Sequence, residues 1–149
     1  MLDQIRRYHP DAVFYLGDGL KDLDYLYQEW PGLEVHSVPG NCDGWTGRPL
    51  EQIVELKGFR FLLTHGHGYQ VKAGLGGLLA AAKEQGADAA FFGHTHRPCC
   101  EQADGLWLIN PGSVGSYCSP DFGVLRLENG AWTYQAGGEK EKAQEGKSC

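Results

Sequence analysis

Two packed β-sheets flanked by helices, an α/β architecture, is the fold class predicted for this 149-residue chain, and three observations predict it. Helical and extended signals alternate through the first two-thirds. Short strands separated by tight turns fill most of the rest. A hydrophobic content of 42% against 21% charged residues is that of an ordinary globular domain with a real core.

Taken in order, residues 2–9 place Leu2 and Ile5 on a short helix that Pro10 stops. Residues 12–16 are a β-type run. Residues 22–30 carry Leu23, Leu26, Tyr27 and Trp30 at helical spacing. Residues 33–38 are extended and end at Pro39-Gly40. Two strands, 52–56 and 59–64, flank Lys57-Gly58 as a hairpin. A helix over 75–84 and a strand over 88–92 follow. Beyond His96 the texture changes to short strands over 99–102, 106–110, 122–127 and 131–135. Asp104-Gly105 and Asn129-Gly130 favour tight hairpin turns between them. Residues 137–149 hold Gly, Glu, Lys and Gln without apolar periodicity and are predicted to be a disordered tail, so the domain spans 1–136.

A net charge of −6 argues against a nucleic-acid-binding surface, which needs an excess of Lys and Arg to neutralise phosphates. Phosphate substrates are still accessible, because a bound metal supplies positive charge locally. Residues 1–10 contain no apolar stretch typical of a secretion signal, and the small-apolar run 74–82 is too short to cross a bilayer. A cytoplasmic protein is expected. The five cysteines are odd in number and show no C-x-x-C spacing, so reduced thiols used as small apolar residues are expected.

The richest chemistry lies in four fragments that each follow an apolar run: Gly17-Asp18, Gly40-Asn41-Cys42-Asp43, His65-Gly66-His67 and Gly93-His94-Thr95-His96. A strand that ends in His-x-His turns both imidazoles out at the carboxyl edge of a sheet, where ligands collect in α/β proteins. Imidazole, carboxylate and amide oxygen together make a set for a hard-to-borderline divalent metal. Singly, each fragment has an ordinary reading: Asp18 as a helix cap, Gly40-Asn41 as a turn, His65 and His67 as a loop pair. The metal reading rests on their joint occurrence.

With Asn110-Pro111-Gly112-Ser113 added, the fragments occur in the order used by calcineurin-like metallophosphoesterases, and the chain most resembles their YfcE-type phosphodiesterase branch. The resemblance covers residues 1 to about 135 and implies two mixed β-sheets packed face to face between helices. It implies Asp18 as a carboxylate bridging two divalent metal ions. Asn41, His65 and His94 complete one shell, and His96 serves the other ion. Manganese is the first expectation, with Fe, Ni or Zn as alternatives. The hydroxide bridging the two metals would attack phosphorus, with no side-chain nucleophile. Asp18, Asn41 and His67 form the catalytic set in this reading. His67 is not a metal ligand by the mapping; a substrate or acid role stands beside a plain loop role. Cys42, where related phosphatases hold a histidine, is a poor acid at neutral pH, and Cys42 and Arg97 are the candidate substrate contacts. Trp45 and Tyr69 read more readily as loop packing.

One motif of the resemblance is missing. These proteins carry D-x-H on a first strand, whereas this chain opens with the helix of residues 2–9. An unpaired gap near the middle of the sheet is therefore expected, inviting self-association or a partner strand, and one metal is expected to be well held and the other weakly. Met1 is expected to be an internal methionine of a longer protein, with a genuine short, non-enzymatic form as the alternative. The function expected is metal-dependent hydrolysis of a small phosphoester, more a diester than a monoester. The competing function is a weak or inactive binding scaffold, like the retromer subunit of this fold. A metallo-β-lactamase reading of His65-Gly-His67 fails, since that class needs Asp-His soon after and Gly68-Tyr69-Gln70 follows.

Overall fold

The computed structural model describes residues 1–115 and 120–137. Its elements are α1 (Leu2–Tyr8), β1 (Ala12–Tyr15), α2 (Leu23–Glu29), β2 (Glu34–Ser37), β3 (Glu51–Leu56), β4 (Phe59–Thr64), α3 (Gly76–Glu84), β5 (Ala89–Phe91), β6 (Cys99–Ala103), β7 (Leu106–Asn110), β8 (Phe122–Glu128) and β9 (Ala131–Gly137). A mixed five-stranded sheet in the order β3-β4-β5-β7-β6 forms the centre. Its three middle strands run parallel and its two edges antiparallel.

Alternation along the middle strands explains the layers. Phe61 and Leu63 of β4, Ala89 and Phe91 of β5 and Ile109 of β7 face one core. Leu62, Ala90, Phe92, Leu106 and Leu108 face the other, against Leu78 and Ala82 of α3. Strands buried on both faces need continuous apolar runs, which is why residues 61–63 and 89–92 show no polar alternation. On the first face lie β1, through Phe14, and β9, through Trp132 and Tyr134. Outside them, Ile5, Leu23 and Leu26 of α1 and α2 pack on Val13 and Tyr15. The order of layers is helix, strand pairs, central sheet, helix.

The second layer differs from a continuous sheet. β1 pairs with β2 in parallel and β8 pairs with β9 antiparallel, and no ladder joins the two pairs among the described residues. Both pairs are held by packing on the same face of the central sheet, through Phe14 of β1 and Trp132 and Tyr134 of β9. The Tyr8 ring at the end of α1 meets Phe122 of β8 at 5.6 Å.

All three hairpin tips use a left-handed pair, with φ of 48° and 87° at Lys57-Gly58, 50° and 82° at Asp104-Gly105, and 53° and 74° at Asn129-Gly130. β9 continues to Gly137, one residue past the expected domain end. A side chain there would strike the Phe122 ring at 2.3 Å, so glycine lets the last pair of the ladder close. The tail expected over 138–149 lies outside the described residues. Cys42 and Cys99 are free thiols, whereas Cys100, packed against the first core, is disulfide-bonded, which corrects the all-reduced expectation. No helix among the described residues is long and apolar enough to cross a membrane.

Phe61 is fully buried and touches aromatic rings from its own sheet and from both strand pairs: Phe91 at 5.7 Å, Phe14 at 6.1 Å and Trp132 at 6.1 Å. It is the side chain that ties both strand pairs to the central sheet. Phe61→Ala is expected to cost about 3–5 kcal/mol in urea denaturation, the range for emptying a fully packed aromatic site.

Candidate metal centre

Asp18 follows β1, Asn41 follows β2, His65 and His67 follow β4, His94 and His96 follow β5, and Asn110 ends β7. Each stands at the carboxyl end of a strand from a parallel ladder. An open hollow of about 420 Å³, lined by Phe59, Asp88, Trp107 and Trp132, lies at the opposite, amino ends of these strands and shares none of these residues.

The first two loops touch. A Cβ on Gly17 would lie 2.5 Å from the Gly40 nitrogen, and one on Gly40 would lie 2.1 Å from the Asp18 carboxylate, so only glycine allows either approach. Asp43 locks them together. Its Oδ2 accepts N–H bonds from Asp18 and Gly40, both at 2.8 Å, and its Oδ1 accepts from Gly19 at 2.7 Å and Leu20 at 2.8 Å. Burial pulls the Asp43 pKa up, but these four donors outweigh it and hold the carboxyl below its ordinary value. In the sequence Asp43 is one residue of the Gly40-Asn41-Cys42-Asp43 motif, and its clamp role shows only when the two loops meet.

His65, 2% exposed, points into the junction. Its Nδ1 lies 2.6 Å from the Leu16 carbonyl oxygen, which can only accept, so Nδ1 carries the proton. Burial is the leading influence on this imidazole and lowers its pKa, favouring the neutral ring. Nε2 then has a lone pair and no proton. It faces Asn41 Oδ1 at 3.2 Å and Asp18 Oδ2 at 3.4 Å. Acceptor atoms gathered this closely suit a cation between them. Ligands about 2.0–2.2 Å from a shared ion stand roughly 3.0–3.5 Å apart, so these separations fit a divalent metal. The Leu16 bond fixes tautomer and ring plane as outer partners of metal-bound histidines do. The Asn41 amide is essential to this set: among the described residues no three His, Cys, Asp or Glu side chains converge on a common point.

The remaining histidines gather unequally. The His94 ring lies 5.0 Å from His65, and His67 lies 5.4 Å from His65 and 6.2 Å from His94. His67 Nδ1 is buried without a hydrogen-bond partner among the described residues. Burial, followed by the charge of Lys72, lowers the His94 pKa. His96 is exposed and adopts a left-handed backbone with φ of 57°. Asp18 and His94 are also left-handed, at 60° and 64°; apart from hairpin tips and helix ends, these three are the non-glycine residues with positive φ among those described. Such strain collects at functional sites, where surrounding bonds hold it. Asn110 is the brace: its amide donates to the Gly93 carbonyl at 2.8 Å and the Thr95 hydroxyl at 3.0 Å.

Cys42 is exposed, and its backbone N–H donates to Asp18 Oδ1 at 2.9 Å. The Asp18 charge pushes the thiol above its ordinary value and keeps it protonated. Arg97 stands exposed, tied to Thr95 through its backbone N–H. Tyr69 is a loop anchor, since its hydroxyl donates to Glu51 and its ring packs in the second core. Trp45 does not pack as expected; it is 96% exposed.

Asp43→Ala is expected to destabilise the fold by about 3 kcal/mol at pH 7, as charge-assisted bonds are removed. A depressed folded pKa gives stability that is present above the ordinary value of 3.8 and lost as pH falls through the folded value. Urea denaturation midpoints of parent and variant should therefore converge in acid below that value. A constant difference down to pH 2 would contradict the clamp.

A profile of the calcineurin-like phosphoesterase superfamily domain matches residues 1–130. The probable metallophosphoesterase YsnB of Bacillus subtilis (strain 168) is 37% identical over 143 residues, covering 90% of this chain and 81% of that protein. The crystal structure of a conserved predicted phosphoesterase from Streptococcus pneumoniae TIGR4 superposes with a TM-score of 0.76 at 25% identity, over 99% of this chain and 86% of that one. Wild-type Vps29 of Entamoeba histolytica, crystallised with zinc, shares the fold with a TM-score of 0.71 at 22% identity, over 93% and 85% of the two chains. With its divalent donor set at the joined strand ends, the chain belongs to the calcineurin-like phosphoesterase superfamily, a family of metal-dependent phosphoesterases.

Proposed function

We propose that the chain hydrolyses phosphodiesters with divalent metal ions held by Asp18, Asn41, His65 and His94. The observation that carries the reading is the convergence of the His65 Nε2, Asn41 Oδ1 and Asp18 Oδ2 lone pairs, with 3.2 and 3.4 Å between them. When bound, the metals polarise a phosphoryl oxygen and lower the pKa of water for in-line attack on phosphorus. A second ion has Asp18 and His96 as its ligands in this chain and is held more weakly than the first. Manganese is the first metal to supply, because nitrogen and oxygen donors accept several divalent ions and availability chooses among them.

The side chains around that centre divide the remaining work. Leu16 keeps the His65 proton on Nδ1, so Nε2 always presents its lone pair to the metal. Asn110 holds the Gly93–Thr95 turn that carries His94. The Cys42 thiol, raised by Asp18, is a weak proton donor at neutral pH. His67, with its orphaned Nδ1 beside His65 and His94, is the better placed group to meet a leaving oxygen. Diesters with good leaving groups suit a site that lacks a strong acid, and the motif set resembles the phosphodiesterase branch.

Purified protein supplied with Mn²⁺ is expected to turn over bis-p-nitrophenyl phosphate, and chelation should abolish the reaction. His94→Ala and Asn41→Ala should each lower kcat/KM by on the order of 100-fold or more, since even outer partners of metal ligands cost 10–100-fold. Isothermal titration with Mn²⁺ should show the matching loss of affinity. Turnover that persists in His94→Ala and after chelation would refute the assignment.

A further inference from the structure

Among the described residues Trp45 is the large apolar side chain most open to solvent, 96% exposed. One exposed apolar ring is ordinary on a protein surface. What singles out Trp45 is the loop that carries it, because both ends of that loop are fastened to the metal centre. Residues 43–50 join β2 to β3. At the first end Asp43 accepts N–H bonds from Asp18 and Gly40, both at 2.8 Å. At the other the Leu50 carbonyl accepts the Thr64 hydroxyl at 3.3 Å, and Thr64 immediately precedes His65. Between them the Arg48 guanidinium donates to the Ser37 hydroxyl at 2.6 Å, and the Arg48 N–H donates to the Thr46 hydroxyl at 3.3 Å.

The loop therefore spans from the Asp18 corner of the site to the strand end that carries His65. Two residues carry the chain at most about 7.6 Å from Asp43, so the Trp45 backbone stands beside the Asp18–Asn41 corner. The outer edge of its indole leans along the loop over Gly47, where a Cβ would lie 3.8 Å from it. Leu50, 58% exposed, adds a second apolar side chain at the far anchor. A loop pinned at both ends loses little freedom when a ligand settles on it, so the ring is presented at low entropic cost. Metal donors recognise the phosphoryl oxygens whatever group they carry. An open indole face beside them favours a group that is itself flat and aromatic.

We propose that Trp45 is a substrate-binding residue that stacks on an aromatic ring, a nucleobase or a simple aryl group, carried by the phosphoester at the metal centre. This deepens the phosphoesterase reading and rests on it for the seat of the phosphoryl group, but the stacking contact is testable without turnover. Such a contact acts on the bound ground state and the transition state alike, so its loss raises KM more than it lowers kcat.

The test uses the Mn²⁺-loaded protein and its Trp45→Ala and Trp45→Phe variants. Its probes are pairs that share a phosphate and differ in the ring: AMP against ribose 5-phosphate, and phenyl phosphate against methyl phosphate. In calorimetry the parent should bind at least one ring-bearing probe about tenfold more tightly than its ring-free partner, the gain from stacking one ring. Trp45→Ala should remove that preference and Trp45→Phe should keep most of it. Affinity for the ring-free probes and for Mn²⁺ should stay at the parent value in both variants, as should the urea midpoint, since the side chain lies in solvent. With bis-p-nitrophenyl phosphate, Trp45→Ala should raise KM by a similar factor. A preference for AMP alone upholds the stack with a nucleobase, and a preference for both rings upholds it for aryl groups in general. A parent that binds neither member of each pair, or both alike, would overturn the proposal, as would a preference that survives Trp45→Ala. A Trp45-dependent preference in a parent without turnover would uphold the stack and sink the enzyme reading instead.

Discussion

The Asp43 carboxylate accepts backbone N–H bonds from Asp18, Gly19, Leu20 and Gly40, and through them joins the loop after β1 to the loop after β2. Without a shared acceptor those four donors would point at one another across a junction so tight that only glycine fits at 17 and 40. An unpaired N–H in such a place costs about 1–3 kcal/mol, so the clamp is a condition for the close approach and not an addition to it. Asp18 and Asn41 gain their mutual position from the same bonds. The Cys42 N–H, 2.9 Å from Asp18 Oδ1, then leaves Oδ2 to turn toward His65.

His65 shows how burial and one hydrogen bond decide chemistry. A histidine this deep resists protonation, and the Leu16 carbonyl takes its single N–H. What remains is a lone pair aimed at two oxygens, a donor set that suits a cation. Asp18 and His94, held in left-handed backbone, carry strain of about 1–3 kcal/mol each for a non-glycine residue. Asp43 holds the first in place and Asn110 steadies the turn beside the second, so a strained backbone is braced on both sides of the site.

Most of the fold was legible because period and punctuation agree along the chain. Runs such as 61–63 and 89–92 are apolar without alternation, and Lys57-Gly58, Asp104-Gly105 and Asn129-Gly130 mark turns by their need for positive φ. The site was legible as a list of residues, since each fragment follows an apolar run. Its geometry was not. Nothing in Gly40-Asn41-Cys42-Asp43 says that Asp43 reaches back 25 residues to the Asp18 N–H, and a carboxylate in a loop reads as surface. Tyr69 and Trp45 read alike as loop aromatics, yet one is tethered to Glu51 and the other stands in solvent, a difference set by tertiary neighbours. The cysteines misled because spacing reports on local motifs, and Cys100 forms a disulfide without one.

A chain with net charge −6 repels anions at long range, so a phosphoester must be met by local positive charge. In the proposed site, a metal held by Asp18, Asn41 and His65 would supply that charge at the carboxyl ends of the parallel strands, where a single divalent ion changes the local field more than the distant net charge does.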